Sequence, residues 1–142
     1  MSNILEVKFS AKSENESLSR VIVASFAAKL DPTLDELSDI KMAVSEAVTN
    51  SIVHGSEEDE SKFVYLRCEL EDRMIKVVIE DRGKGIEDIK QAMQPMYTSK
   101  PELDRAGMGF SFMESFMDTL EVVSIKGEGT KVVMTKTIEL PK

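Results

Sequence analysis

The sequence predicts an α+β fold: a two-layer α/β sandwich with a mostly antiparallel, mixed sheet and its helices on one face. Three observations carry that expectation. Short runs of alternating apolar and polar residues recur at both ends and in the middle of the chain. Two longer stretches between residues 15 and 55 space their apolar residues at the helical period. The elements follow in the order β-α-α-β-β-α-α-β-β, with strands grouped around runs of helix.

"ILEVKFSA" (4–11) alternates and reads as a half-buried strand. The first helix, 15–30, places Leu18, Val21, Ile22, Ser25 and Phe26 at core spacing. Asp31-Pro32 ends it, because the residue before proline is pushed out of helical backbone angles. A second helix runs from near Thr33 to Gly55, with Thr33 and Glu36 in capping-box spacing and Gly55 suited to the C-terminal end. The acidic "SEEDES" (56–61) is a solvated connection. "KFVYLRCELED" and "RMIKVVIED" pair as adjacent strands that turn at Glu71-Asp72-Arg73. A short helix follows Ile86, and "QPMYTSKPELDRAGMG" forms a long loop of the kind that is functional or mobile in compact domains. "FSFMESFMDTL" (110–120) is helical, and the chain closes as a hairpin turning at Gly127-Glu128-Gly129.

Length and composition narrow the function. With 142 residues, of which 42% are hydrophobic and 31% charged, the chain is read as one globular domain over 1–142. A net charge of −8 opposes a nucleic-acid surface, which needs clustered cations, and suits a basic protein partner. Cys68 is the only cysteine, so no intramolecular disulfide forms and a reducing, cytoplasmic compartment is expected. It falls in a buried strand position rather than a reactive one. The N-terminus lacks a basic segment followed by an apolar stretch, and nothing approaches the roughly 20 apolar residues of a membrane span. The expectation is a soluble protein that binds neither membrane nor nucleic acid directly.

The chemistry starts on the second helix. Leu37, Ile40, Val44, Val48 and Ser51 share one face, and Glu46 and Asn50 stack one turn apart on its flank, bordered by Ala43 and Ala47. Such a pair is either solvated or lines a pocket. His54 lies at the helix end, where the dipole favours a cap role, and a single histidine makes no multi-histidine metal site. The P-loop pattern is absent. "GMGFSF" has Phe112 where a dinucleotide fingerprint requires its third glycine, and the "HRD" and "DFG" kinase motifs are missing. "EDRGKGI" places Asp81, Gly83 and Gly85 after a strand, as a simple turn or as a loop brought close to something flat or charged. In "RAGMGF", Gly107 and Gly109 open a helix whose free amides form an anion site, and Arg105 precedes them as a planar fork. The alternative there is a hinge with an incidental arginine.

Taken in order, Glu46-x₃-Asn50, Asp81-x-Gly83-x-Gly85, a long loop, Gly107-x-Gly109 and Gly129-Thr130 resemble the Bergerat ATP site of the GHKL superfamily. That superfamily includes type II topoisomerases, MutL and histidine kinases, and the resemblance covers about residues 33–137. More narrowly, "NESLSRVIVASFAAKLDPTLDEL", "SEAVTNSIVHG" and "QPMYTSKPELDRAGMGFSFME" look like the anti-sigma F family of endospore-forming bacteria. Its members are protein-serine kinases that bind the sporulation sigma factor sigma-F and phosphorylate a STAS-domain anti-anti-sigma protein.

The resemblance implies ATP or ADP with Mg²⁺ as cofactors, and a role for each matching residue. Asn50 would ligate Mg²⁺, and Glu46 would activate the attacking serine. Asp81 would accept from the adenine amino group, with Gly83, Gly85 and Ile86 close to the base and Thr130 supporting it. An ATP lid over about 94–106 would include Thr98 and bring Arg105 to the γ-phosphate. The amides of Gly107, Met108, Gly109 and Phe110 would cradle phosphates. Arg20, read as an isolated cation on the polar side of the first helix, would lie on the surface contested by sigma factor and anti-anti-sigma protein. A homodimer is also implied, for which the first strand and first helix could supply the interface. Competing readings are an ATP-switched binding module without kinase activity, a general-stress anti-sigma kinase, and the detached ATPase domain of a histidine kinase. The last lacks its helix pair with a phospho-acceptor histidine.

Overall fold

A computed structural model describes residues 2–57, 59–85 and 109–140. Strand β1 (Asn3–Ser10) leads into helix α1 (Glu14–Ala27), a 3₁₀ turn (Ala28–Leu30) and helix α2 (Leu34–Asn50). A π turn (Ser51–Gly55) extends α2, and β2 (Phe63–Glu71) and β3 (Met74–Asp81) follow. Helix α3 (Gly109–Phe116), β4 (Thr119–Ile125) and β5 (Gly129–Thr137) complete the described residues. The strands form one sheet in the order β1-β2-β3-β5-β4, and all four pairings are antiparallel. The expected short helix after Ile86 and the long loop lie outside the described residues.

Alternation sorts the sheet into a covered and an open face. Val64, Leu66, Cys68 and Leu70 of β2, Ile75, Val77 and Ile79 of β3, and Val132 and Met134 of β5 are buried together with Ile40, Val44 and Val48 of α2. Burial pushes the Cys68 thiol up to about 12, which leaves it unreactive at neutral pH.

The helix ends follow local chemistry. Thr33 caps α2 in a complete box: its hydroxyl accepts from Glu36 N–H at 3.1 Å, and Glu36 Oε1 accepts from Thr33 N–H at 2.9 Å. Asp31 adopts left-handed backbone angles (φ 54°), which ends the α1 segment before Pro32. Across the molecule, the Arg73 guanidinium donates to Leu30 O at 2.7 Å, Glu139 O at 2.9 Å and Ile138 O at 3.1 Å. This fork ties the β2–β3 turn to the end of the α1 segment and to the C-terminal residues.

Two expectations need correction. The buried stripe of α1 is Ser19, Val23, Phe26 and Ala27, while Leu18 and Val21 are 52% and 60% exposed and Ser25 is also exposed. Small residues four apart give α1 a narrow face, and the Ser19 hydroxyl satisfies itself on Glu16 O at 2.6 Å, so a polar residue is buried at little cost. The helix expected over 110–120 stops at Phe116. Asp118 N–H turns instead to Thr135 O at 2.9 Å, and Thr119 and Leu120 enter the ladder opposite Thr135 and Met134. Lys136 closes the end of α3 by donating to Phe116 O at 2.8 Å.

Candidate functional site

The alternation that buries Ile75, Val77 and Ile79 makes Asp81 the next residue in the same inward row of β3. A carboxylate is thereby carried to the covered face, where it is only 3% exposed. Directly across the ladder stands Thr130, which continues the inward row of Val132 and Met134 on β5. Asp81 Oδ1 accepts from Gly83 N–H at 2.9 Å, and the carboxylate is also hydrogen-bonded by the Ser51 side chain and the Thr130 backbone. Burial pushes the Asp81 pKa up from the ordinary carboxylate value, and these three hydrogen bonds oppose the rise.

The π turn brings α2 to this carboxylate. Ser56 N–H reaches back to Ser51 O at 2.7 Å, so the chain after Asn50 winds wider than an α-helix. Ser51 then bonds Asp81, and Gly55 packs against it: a Cβ at Gly55 would lie 2.4 Å from Asp81 Oδ2. Four more glycines complete the knot. A Cβ at Gly83 would stand 1.7 Å from Gly55 O, and one at Gly129 (φ 126°) 2.1 Å from Asp81 O. Gly85 (φ 76°) lies against Ile125 O, while Gly127 N–H bonds Lys84 O at 2.6 Å. The close neighbour that Gly83 and Gly85 admit is the chain's own backbone.

Glu46 and Asn50 are half-buried on α2, flanked by the buried Ala43 and Ala47, and Asn50 directly precedes Ser51. Asn50 thus leads directly into Ser51, which bonds Asp81 opposite Thr130, with Glu46 one turn earlier on the same helix. The Thr130 hydroxyl is engaged with Ser124 Oγ at 2.8 Å. Gly109 begins α3, but the Phe110 side chain is 7% exposed and belongs to the core, so only its backbone is left to face a ligand. Ile86, Thr98, Arg105, Gly107 and Met108, and with them the expected lid, lie outside the described residues. Arg20 is not isolated: its Nε lies 3.3 Å from Glu16 Oε1, one turn earlier on α1. His54 is half-buried within the π turn.

Sequence reasoning overlooked Ser51 and Gly55 as site residues. Ser51 looked like the end of an apolar stripe and Gly55 like a helix cap. The usable signal was that both lie next to residues already singled out, Asn50 and His54.

This donor set fits a purine nucleotide. It combines a buried acceptor braced by backbone amides, a half-buried carboxylate–amide pair and a helix that begins at Gly109. Among the described residues no group of three or more His, Cys, Asp or Glu is placed to hold a metal ion. A lone amide oxygen such as that of Asn50 suits Mg²⁺, which takes its other ligands from phosphates and water.

Residues 9–136 match the histidine kinase-like ATPase domain family. An anti-sigma F factor from Clostridium acetobutylicum is 56% identical over 140 residues, which cover 99% of this chain and 97% of that one. The anti-sigma F factor of Oceanobacillus iheyensis is 52% identical over 142 residues, covering 100% and 97%. A crystal structure of the RsbU and RsbW domains of Rv1364c from Mycobacterium tuberculosis superposes with a TM-score of 0.71 at 17% identity. It covers 98% of this chain and 33% of that one, and the likeness is one of fold.

Proposed function

Because this chain belongs to the histidine kinase-like ATPase family, and within it to the anti-sigma F factors, we propose that it binds and inhibits a sigma-F-type sigma factor. We further propose that it uses ATP to phosphorylate a STAS-domain anti-anti-sigma protein on serine. The observation that carries this reading is the Asp81 carboxylate, 3% exposed, braced by Gly83 and hydrogen-bonded by Ser51, the residue that follows Asn50 at the end of α2.

Asp81 accepts from the adenine amino group. Guanine offers a carbonyl acceptor at that position, and two acceptors face to face are rejected. Asn50 would hold Mg²⁺, which would neutralise phosphate charge. The amides opening α3 and the Arg105 guanidinium would pair with the phosphates. Glu46 takes the proton of the substrate serine as its oxygen bonds to the γ-phosphorus, the bond to the β–γ bridging oxygen breaks and ADP departs. Phosphoryl transfer asks the protein mainly for positioning and charge stabilisation, and these residues supply both. The protein acts in the cytoplasm as a homodimer in this reading. Among the described residues no helix is long and apolar enough to cross a membrane.

The test is incubation with γ-labelled ATP, Mg²⁺ and the STAS protein. Label on a serine is expected from the parent. Glu46→Gln should retain ATP and sigma-factor binding while transfer falls about 10²–10⁴-fold, the usual range for a positioned base. Parent-rate transfer by Glu46→Gln would remove Glu46 from the chemistry. Sigma-factor and STAS binding with no label on any residue would reduce the protein to an ATP-switched binder.

A further inference from the structure

Glu16 joins the outer surface of α1 to Ser45 of α2. Its Oε1 lies 3.3 Å from Arg20 Nε, and the same oxygen accepts a hydrogen bond from Ser45 Oγ. The Glu16 side chain is 19% exposed and that of Arg20 40%, so the link runs from solvent into the α1–α2 contact. Ser45 immediately precedes Glu46 on α2.

We propose that Glu16 is a positioning residue for phosphoryl transfer: through Ser45 it fixes the rotation of α2 about its own axis and so aims Glu46 at the substrate hydroxyl. The proposal rests on Glu46 being the general base. Beside it, Val23, Ala27 and Val44 belong to the buried apolar core, and Ser19 is buried with its hydroxyl satisfied within α1. The hydrophobic effect is non-directional, whereas a hydrogen bond depends on angle and length. A rotation of about 10° swings a side-chain tip about 6 Å from the helix axis by about 1 Å, and a misplacement of that size can cost about 10²-fold in rate. The ion pair with Arg20 holds the Glu16 carboxylate in the rotamer that reaches Ser45.

The experiment uses the full-length protein with Mg²⁺-ATP and its STAS substrate, reading single-turnover transfer and ATP affinity separately. Ser45→Ala should slow transfer by about 10-fold or more while ATP affinity stays within about 2-fold of the parent. Ser45→Thr, which keeps the hydroxyl, should restore the rate. Glu16→Gln keeps an acceptor for Ser45 and should be faster than Glu16→Ala. Parent-like transfer by Ser45→Ala overturns the proposal. So does a joint loss of rate, ATP affinity and melting temperature that Ser45→Thr fails to rescue, because that is the signature of a merely structural bond. A parent that transfers no phosphate overturns the kinase reading itself and this inference with it.

Discussion

Replacing Gly55 with alanine places one methyl group 2.4 Å from Asp81 Oδ2, 2.5 Å from Cγ and 2.7 Å from Oδ1. Comfortable contact between such atoms begins at about 3.5 Å, so the carboxylate must withdraw by roughly 1 Å. Asp81 is 3% exposed, so it withdraws into packed neighbours rather than into water. The hydrogen bond from Gly83 N–H, 2.9 Å in the parent, is lost on the way. Overpacking together with one hydrogen bond to a charged group costs about 3–6 kcal/mol, a large share of the roughly 5–15 kcal/mol that holds a domain folded. With Asp81 as the proposed partner of the adenine amine, the displaced carboxylate would lose that contact, and ATP affinity should fall by about 10-fold or more. Urea unfolding measures the first effect and calorimetry with ATP the second. Gly127→Ala is the control. Its φ of 83° strains any side chain, but the added methyl meets nothing within 4 Å, so stability drops by about 1–2 kcal/mol and ATP affinity holds. A Gly55→Ala protein with parent-like midpoint and affinity would refute the packing of Gly55 on Asp81.

Burial raises the Asp81 pKa above its ordinary value of 3.8, so the stability this group contributes is full below 3.8 and is lost as pH rises through its folded value. Parent-minus-Asp81→Asn stability, followed by urea unfolding across that window, should therefore decline with rising pH, and a flat difference would deny the shift. Thr33→Ala removes the α2 cap and should lower stability by about 0.5–2 kcal/mol in thermal unfolding, with ATP affinity unchanged. Arg73→Ala deletes three hydrogen bonds to backbone carbonyls and should destabilise by about 2–4 kcal/mol. Hydrogen exchange should show the loosening concentrated at residues 28–31 and 138–140.

What the sequence made legible was whatever a single segment decides. Thr33 and Glu36 cap their own helix, and β2, β3 and β5 alternate because one face is covered, so both features stand where spacing alone puts them. The face of α1 depends on what packs against it. Leu18 and Val21 are the more apolar residues, yet close approach to α2 selects Ser19, Val23 and Ala27. Similarly, the last turn expected of α3 is lost to Thr135 and Met134, residues that a reading of 110–120 alone does not contain. The glycines are the sharper case. Asp81 could be singled out because an acid ends an apolar run, but the reason for Gly83 lies at Gly55, and the reason for Gly129 lies at Asp81 itself.

The Asp81 knot is assembled from segments near residues 51–55, 81–85 and 129–130, which meet only when β5 has paired with β3 and the π turn has docked on both. No partly folded form that lacks β5 contains it. If the nucleotide binds at this knot as proposed, its binding is linked to the complete native state rather than to a fragment of it, and ATP at 100 times its dissociation constant should protect the entire domain against unfolding and proteolysis by about 2.7 kcal/mol.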